Sequence, residues 1–96
     1  MDKVLLVTGG SRGIGAATAC LAARQGWRVA VNYSHRADAA HEVVQRIRDE
    51  GGQAIALQAD VTDEAQVLGL FGQIDQQLGR LDGLVNNAGV VDRPAR

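Results

Sequence analysis

Four glycines fall within the eight residues Thr8-Gly9-Gly10-Ser11-Arg12-Gly13-Ile14-Gly15, and this cluster constrains the chain more than any other feature. Before it, Lys3 to Thr8 is leucine-rich and β-branched with apolar residues on both faces, which predicts a strand buried on both sides. After it, Ile14, Ala17, Leu21 and Ala22 recur at helical spacing up to Gln25, and Gly26 stands where a left-handed helix cap would fall. Glycines at 9, 13 and 15 let the main chain turn sharply, bring backbone close to a bound group and seat a helix against a strand. The start of a helix presents unpaired N–H groups and the positive end of its dipole, so such a turn cradles a phosphate-bearing anion. The spacing is GxxxGxG rather than GxGxxG.

The period switches repeatedly along the rest of the chain. Arg28 to Tyr33 reads as a second strand, and Ala40, Val43, Val44 and Ile47 mark one face of a second helix closed by Gly51 and Gly52. Ala54 to Ala59 reads as a third strand. Val67, Leu68, Phe71, Ile74 and Leu78 stripe a third helix, with Thr62 its expected cap and Gly79 its end. Leu81 to Asn86 is a fourth strand, followed by a polar tail containing Pro94. The order βαβαβαβ predicts an α/β fold: a Rossmann-like, doubly wound parallel sheet of four strands in the order 3-2-1-4 with three helices. Ligands bind such sheets at the carboxyl ends of the strands. Residues 1–96 are expected to be one nucleotide-binding domain, with the fourth strand as an open edge.

Composition removes several function classes. A net charge of -1 lacks the basic footprint of a nucleic-acid or polybasic membrane binder. The single cysteine, Cys20, can form neither an intrachain disulfide nor a CxxC metal site, and reads as a small buried hydrophobe. No apolar stretch approaches the roughly 18 residues needed to span a bilayer. A soluble, cytoplasmic chain with no metal is the expectation. Trp27 is expected to pack the first helix-to-strand turn, and His41 to be a solvated surface residue.

TGGSRGIG at 8 to 15, the Asp60-Val61 pair and Asn86-Asn87-Ala88-Gly89 occur in an order that resembles the amino-terminal, cofactor-binding half of the short-chain dehydrogenase/reductase family. The flavour is that of the bacterial glucose dehydrogenase and 3-oxoacyl-carrier-protein reductase branch. The resemblance implies NAD(P)(H)-dependent hydride transfer to or from a carbonyl or alcohol carbon of a small molecule. It implies that Thr8 ties the glycine loop to the sheet, that Gly9, Gly13 and Gly15 admit the cofactor, that Ser11 and Arg12 sit over the adenosine-side phosphates, and that the Ile14 N–H meets the pyrophosphate. Asp60 would accept from the adenine amino group with Val61 near the ring. Asn86 would lend its carbonyl to a ribose, Asn87 would brace the central strands, and Ala88 and Gly89 would line the ribose channel. The plainer alternatives are an Asx turn for Asp60 and turn chemistry for the Asn pair.

Cofactor choice has a separate physical argument. An NAD site places a carboxylate at the end of the second strand to hold the ribose 2'-hydroxyl. Here no acid occurs between Val29 and Ala37, while Arg12, Ser34, His35 and Arg36 can converge there, with Tyr33 beside the adenosine. NADP(H) is therefore expected over NAD(H), although Arg36 also reads as a solvated surface charge. Two charge-assisted hydrogen bonds at ~1.5 to 3 kcal/mol each would favour the 2'-phosphate by roughly two orders of magnitude or more.

The resemblance also calls for a Ser, a Tyr-x-x-x-Lys pair and a further Asn beyond residue 89. None is present: the one tyrosine, Tyr33, is followed by Ser34, His35, Arg36 and Ala37, and the one lysine is Lys3. The expected reading is the cofactor portion of an NADP(H)-dependent oxidoreductase, inactive alone, with turnover belonging to a longer parent. A standalone NADP(H)-binding or sensing module and a non-functional truncated product remain as alternatives. With an open edge strand and one helix over the second face of the sheet, self-association is expected.

Overall fold

A computed structural model of the chain describes residues 3–11 and 13–87. It contains β1 (Val4–Thr8), α1 (Gly13–Arg24), β2 (Arg28–Tyr33), α2 (Ala37–Asp49), β3 (Gln53–Gln58), α3 (Glu64–Gln77) and β4 (Gly83–Asn86). All strand pairs are parallel, in the order β3-β2-β1-β4. Leu6 of β1 sits in register with Ala30 of β2 on one side and Leu84 of β4 on the other. The α/β fold, strand order and three helices match the sequence expectation.

The period of two along β1 divides the core. Leu5 and Val7 join Val29 and Val31 beneath α1 and α2, while Val4 and Leu6 join Ala30 and Leu57 beneath α3. Every residue of β1 is buried, as the apolar run required. Each fully buried aliphatic side chain, such as Leu6 or Ile74, contributes ~1.5 to 3 kcal/mol relative to exposure.

Three local expectations are corrected. On α1 the buried residues are Gly15, Ala19 and Cys20, whereas Ile14 and Leu21 are exposed. The helix lies so close to the sheet that only small residues fit between them, so size rather than hydrophobicity sets the inward face. On α3 the buried residues are Leu70 and Ile74, with Leu78 just beyond, while Leu68 and Phe71 are exposed. Its cap is Asp63, whose carboxylate accepts from the backbone N–H groups of Ala65 and Gln66; Thr62 belongs to the preceding turn.

Helix ends follow the glycines. Gly26 (φ 96°), Gly51 (φ 89°) and Gly79 (φ 110°) take the left-handed conformation that a side chain disfavours. Trp27 packs against the α1 and α2 side of the core, as expected, with Lys3 Nζ 5.4 Å from its ring centroid. At the far end of α3, Arg28 donates to the Leu78 carbonyl oxygen at 2.7 Å, placing a cation at the negative end of the helix. Among the described residues no helix is long and apolar enough to cross a membrane, and no group of three or more His, Cys, Asp or Glu is placed to hold a metal ion.

Candidate functional site

The parallel sheet brings the carboxyl ends of all four strands to one side of the molecule. The turn after β1 holds Gly9 at φ 64° and Gly13 at φ 61°. Gly15 is buried: a Cβ there would stand 2.5 Å from the Gly9 carbonyl oxygen and 2.8 Å from Asn87 Nδ2. The turn can therefore fold back onto α1 only if position 15 has no side chain. Gly10 is equally confined, since its Cβ would lie 3.1 Å from the Val7 carbonyl oxygen and 3.2 Å from Val31 Cγ1. It had no assigned role in the GxxxGxG spacing. At Gly13 no atom of the described residues would stand within 4 Å of a Cβ, so among them the front of α1 is open there.

Hydrogen bonds join this turn to β4. Thr8 is buried and its hydroxyl approaches Asn86 Oδ1 at 3.1 Å and the Val85 carbonyl oxygen at 3.4 Å. The same Oγ1 accepts from the Asn87 N–H at 3.1 Å. Asn87 Nδ2 donates to the Gly9 carbonyl oxygen at 3.0 Å. The Asn87 side chain thus braces the glycine turn rather than pairing strands directly.

A second tie comes from β2. Asn32 is 2% exposed, its Oδ1 accepts from the Gly9 N–H at 3.3 Å, and its backbone carbonyl accepts from the Gly10 N–H at 3.0 Å. Two amides of the turn therefore point into the protein. The N–H groups at the front of α1, Ile14 and Gly15 among them, have no carbonyl of their own helix to meet, the kind of group that helix starts offer to anions. Asn32 went unassigned in the sequence, although a polar residue inside the apolar run Arg28 to Tyr33 is itself a signal of a buried hydrogen-bonding task.

At the ends of β2 and β3, Tyr33 is half-buried, with its ring centroid 6.3 Å from that of His41. Ser34, His35 and Arg36 are exposed in the following loop. Arg36 Nε lies 3.5 Å from Asp38 Oδ1, so the acid just past the acid-free stretch meets this guanidinium. Asp60 forms an Asx turn: its Oδ1 accepts from the Thr62 hydroxyl at 2.6 Å and the Thr62 N–H at 3.0 Å. The Thr62 hydroxyl and its backbone N–H hold the Asp60 carboxyl below its ordinary range, so it is an anionic acceptor near neutral pH. Val61 lines a cavity of about 170 Å³ on the α3 side, with Thr8, Leu70, Phe71, Leu84 and Asn86.

The structure thus gathers Thr8, Gly9, Ser11, Gly13, Ile14, Gly15 and Asn86 around the ends of β1 and β4. Tyr33, Ser34, His35, Arg36 and Asp60 lie at the ends of β2 and β3. Arg12, Ala88 and Gly89 lie outside the described residues.

The short chain dehydrogenase family model matches residues 3–96. An uncharacterized oxidoreductase, YgfF, of Escherichia coli (strain K12) is 54% identical over 92% of this chain and 36% of its own length. The 3-oxoacyl-[acyl-carrier-protein] reductase FabG of Staphylococcus aureus (strain Mu50) is 44% identical over 94% of this chain and 37% of its own length. Among solved structures, a dehydrogenase/reductase from Sinorhizobium meliloti 1021 superposes with a TM-score of 0.89 at 43% identity, covering 93% of this chain and 36% of that one. The chain spans only about a third of the length of the relatives it matches. A glycine turn closed by Asn87, at the crevice end of a β3-β2-β1-β4 sheet and inside a family match running almost end to end, leads to one assignment: the chain belongs to the short chain dehydrogenase family.

Proposed function

We propose that residues 1–96 supply the NADP(H)-binding portion of an oxidoreductase acting on a carbonyl or alcohol substrate, in a reducing, cytoplasmic setting. The observation that carries this reading is the turn after β1, folded so tightly that a Cβ at Gly15 would sit 2.5 Å from the Gly9 oxygen, with the front of α1 open at Gly13. It lies between β1 and its neighbours β2 and β4, where the strand order changes direction and α/β sheets receive ligands. When bound, the nicotinamide would supply or accept the hydride.

The chain's own residues would hold the rest of the cofactor. The α1-front amides and Ser11 would take the pyrophosphate, Asp60 the adenine amino group, and Asn86, Ala88 and Gly89 the ribose channel. Arg12, Ser34 and His35 would favour a 2'-phosphate over a bare hydroxyl, with Arg36 contributing only by giving up Asp38. Relatives named as reductases, such as FabG of Staphylococcus aureus, support carbonyl chemistry for a longer parent.

A second reading, cofactor binding without turnover, is favoured by one placement. The only tyrosine, Tyr33, ends β2 at the ligand side, whereas the only lysine, Lys3, precedes β1 at the opposite end of the sheet. No Tyr-Lys proton donor can form from them. Calorimetric titration with NADPH and NADH tests both readings. Binding of NADPH at least tenfold tighter than NADH is expected, with no carbonyl reduction by this chain alone; absence of NADPH binding by the folded chain would overturn the proposal.

A further inference from the structure

We infer that Asn32 is a positioning residue that fixes the distance between the two ends of the dinucleotide site. The inference rests on the cofactor-binding role proposed above. Asn32 lies in β2, is 2% exposed, and reaches the backbone of two other segments. Its Oδ1 accepts from the Gly9 N–H at 3.3 Å, in the turn proposed to face the pyrophosphate. Its Nδ2 donates to the carbonyl oxygens of Ala59 at 3.1 Å and Leu57 at 3.4 Å, immediately before Asp60. The backbone carbonyl of the same residue accepts from the Gly10 N–H, and the Tyr33 carbonyl accepts from the Ala59 N–H at 3.0 Å. One buried side chain thus joins the phosphate turn to the loop proposed to read adenine.

The chemistry selects an amide for this task. The turn offers a donor, and β3 with the residue after it offers acceptors, so the bridging side chain must accept at one atom and donate at its neighbour. A carboxylate would face two carbonyl oxygens, and an aliphatic chain would leave buried polar groups unsatisfied. The bridge also fixes which way the amide points, because only one orientation matches the Gly9 donor and the Ala59 acceptor.

A dinucleotide engages both ends at once, so its affinity depends on the spacing between subsites, whereas a ligand of one subsite does not sense that spacing. In the full chain, Asn32→Leu should weaken NADPH binding about tenfold or more while adenosine 2'-phosphate and inorganic pyrophosphate each change less than about threefold. Equal weakening of all three ligands, or unchanged NADPH binding, would overturn the inference. The unmodified chain supplies a measurement that does not depend on the variant folding. Saturating adenosine 2'-phosphate should shift the NMR resonances of both the Asn32 side-chain amide and the Gly9 amide. Shifts confined to residues 33–36 and 60–62, with Gly9 unmoved, would overturn it too. Failure of the unmodified chain to bind NADPH at all would instead remove the proposed function, and this inference with it.

Discussion

Asn87 donates through Nδ2 to the Gly9 carbonyl oxygen at 3.0 Å, joining the end of β4 to the turn after β1 across 78 positions of sequence. That bond exists because Gly15 has no side chain: a Cβ would lie 2.8 Å from the same Nδ2.

Gly15→Ala should therefore push apart the turn, α1 and Asn87. A destabilisation of ~1 to 3 kcal/mol is expected from overpacking, read as a lower urea midpoint, together with weaker NADPH binding. Gly69→Ala is the contrast, since among the described residues nothing lies within 4 Å of its Cβ position on the exposed face of α3. It should stabilise by ~0.5 to 1 kcal/mol through helix propensity alone. Equal effects of the two substitutions would remove the steric account of Gly15.

Thr8→Val keeps the shape of a buried residue but deletes the hydroxyl that accepts from the Asn87 N–H. Leaving that amide without its partner should cost ~1 to 3 kcal/mol in unfolding free energy, and hydrogen exchange at Asn87 should accelerate. An unchanged exchange rate would mean that water replaces the hydroxyl without loss.

Cofactor preference should respond to charge at the adenosine end. Arg12→Ala is expected to reduce the ratio of NADPH to NADH affinity by roughly tenfold or more, at ~1.5 to 3 kcal/mol for one charge-assisted hydrogen bond. Arg36→Ala should change the ratio less, because this guanidinium already meets Asp38. Selectivity unaltered by Arg12→Ala would take that residue out of the 2'-phosphate role.

Acid should destabilise the fold in a defined window. The Asp60 carboxyl is held below its ordinary range by the Thr62 hydroxyl, and that of Glu50 by hydrogen bonding to Arg24 at 3.0 Å. Both groups are depressed in the folded chain, so their contribution is present above the unfolded pKa of about 4 and is lost as pH falls through the lower folded values. The urea midpoint should be level from about pH 7 to 5 and drop below about pH 4. Asp60→Asn should make that drop shallower, and an identical acid limb would remove the Thr62 contact from the account. The Arg24–Glu50 part should also fade in high salt, since both side chains are substantially exposed.

Leu68, Phe71 and Leu84 remain exposed on the α3 side of the sheet, next to the edge strand β4. The isolated chain should associate as its concentration rises, and Leu84→Lys should reduce the sedimentation-average mass. A concentration-independent monomer would contradict this.

Much of the architecture was legible because strands and helices differ in period. The switch between two and 3.6 located all seven elements, and the glycines at 26, 51 and 79 marked helix ends where positive φ is required. The inward faces of α1 and α3 were not legible to the same degree. Hydrophobic spacing favoured Ile14 and Leu21 on α1, but close helix-to-sheet approach selected Gly15, Ala19 and Cys20. On α3, two apolar stripes overlap, and only the position of the sheet chose Leu70 over Leu68 and Phe71.

Local chemistry in the chain determined that a strand, a glycine turn and a helix follow one another, because backbone freedom and periodicity are properties of neighbouring residues. Tertiary structure alone decided what the two asparagines at the glycine turn do. Asn32 and Asn87 hold the same turn from opposite sides. The two asparagine bonds link residues 23 and 78 positions apart, so they arise only once parallel pairing has brought the strand ends together.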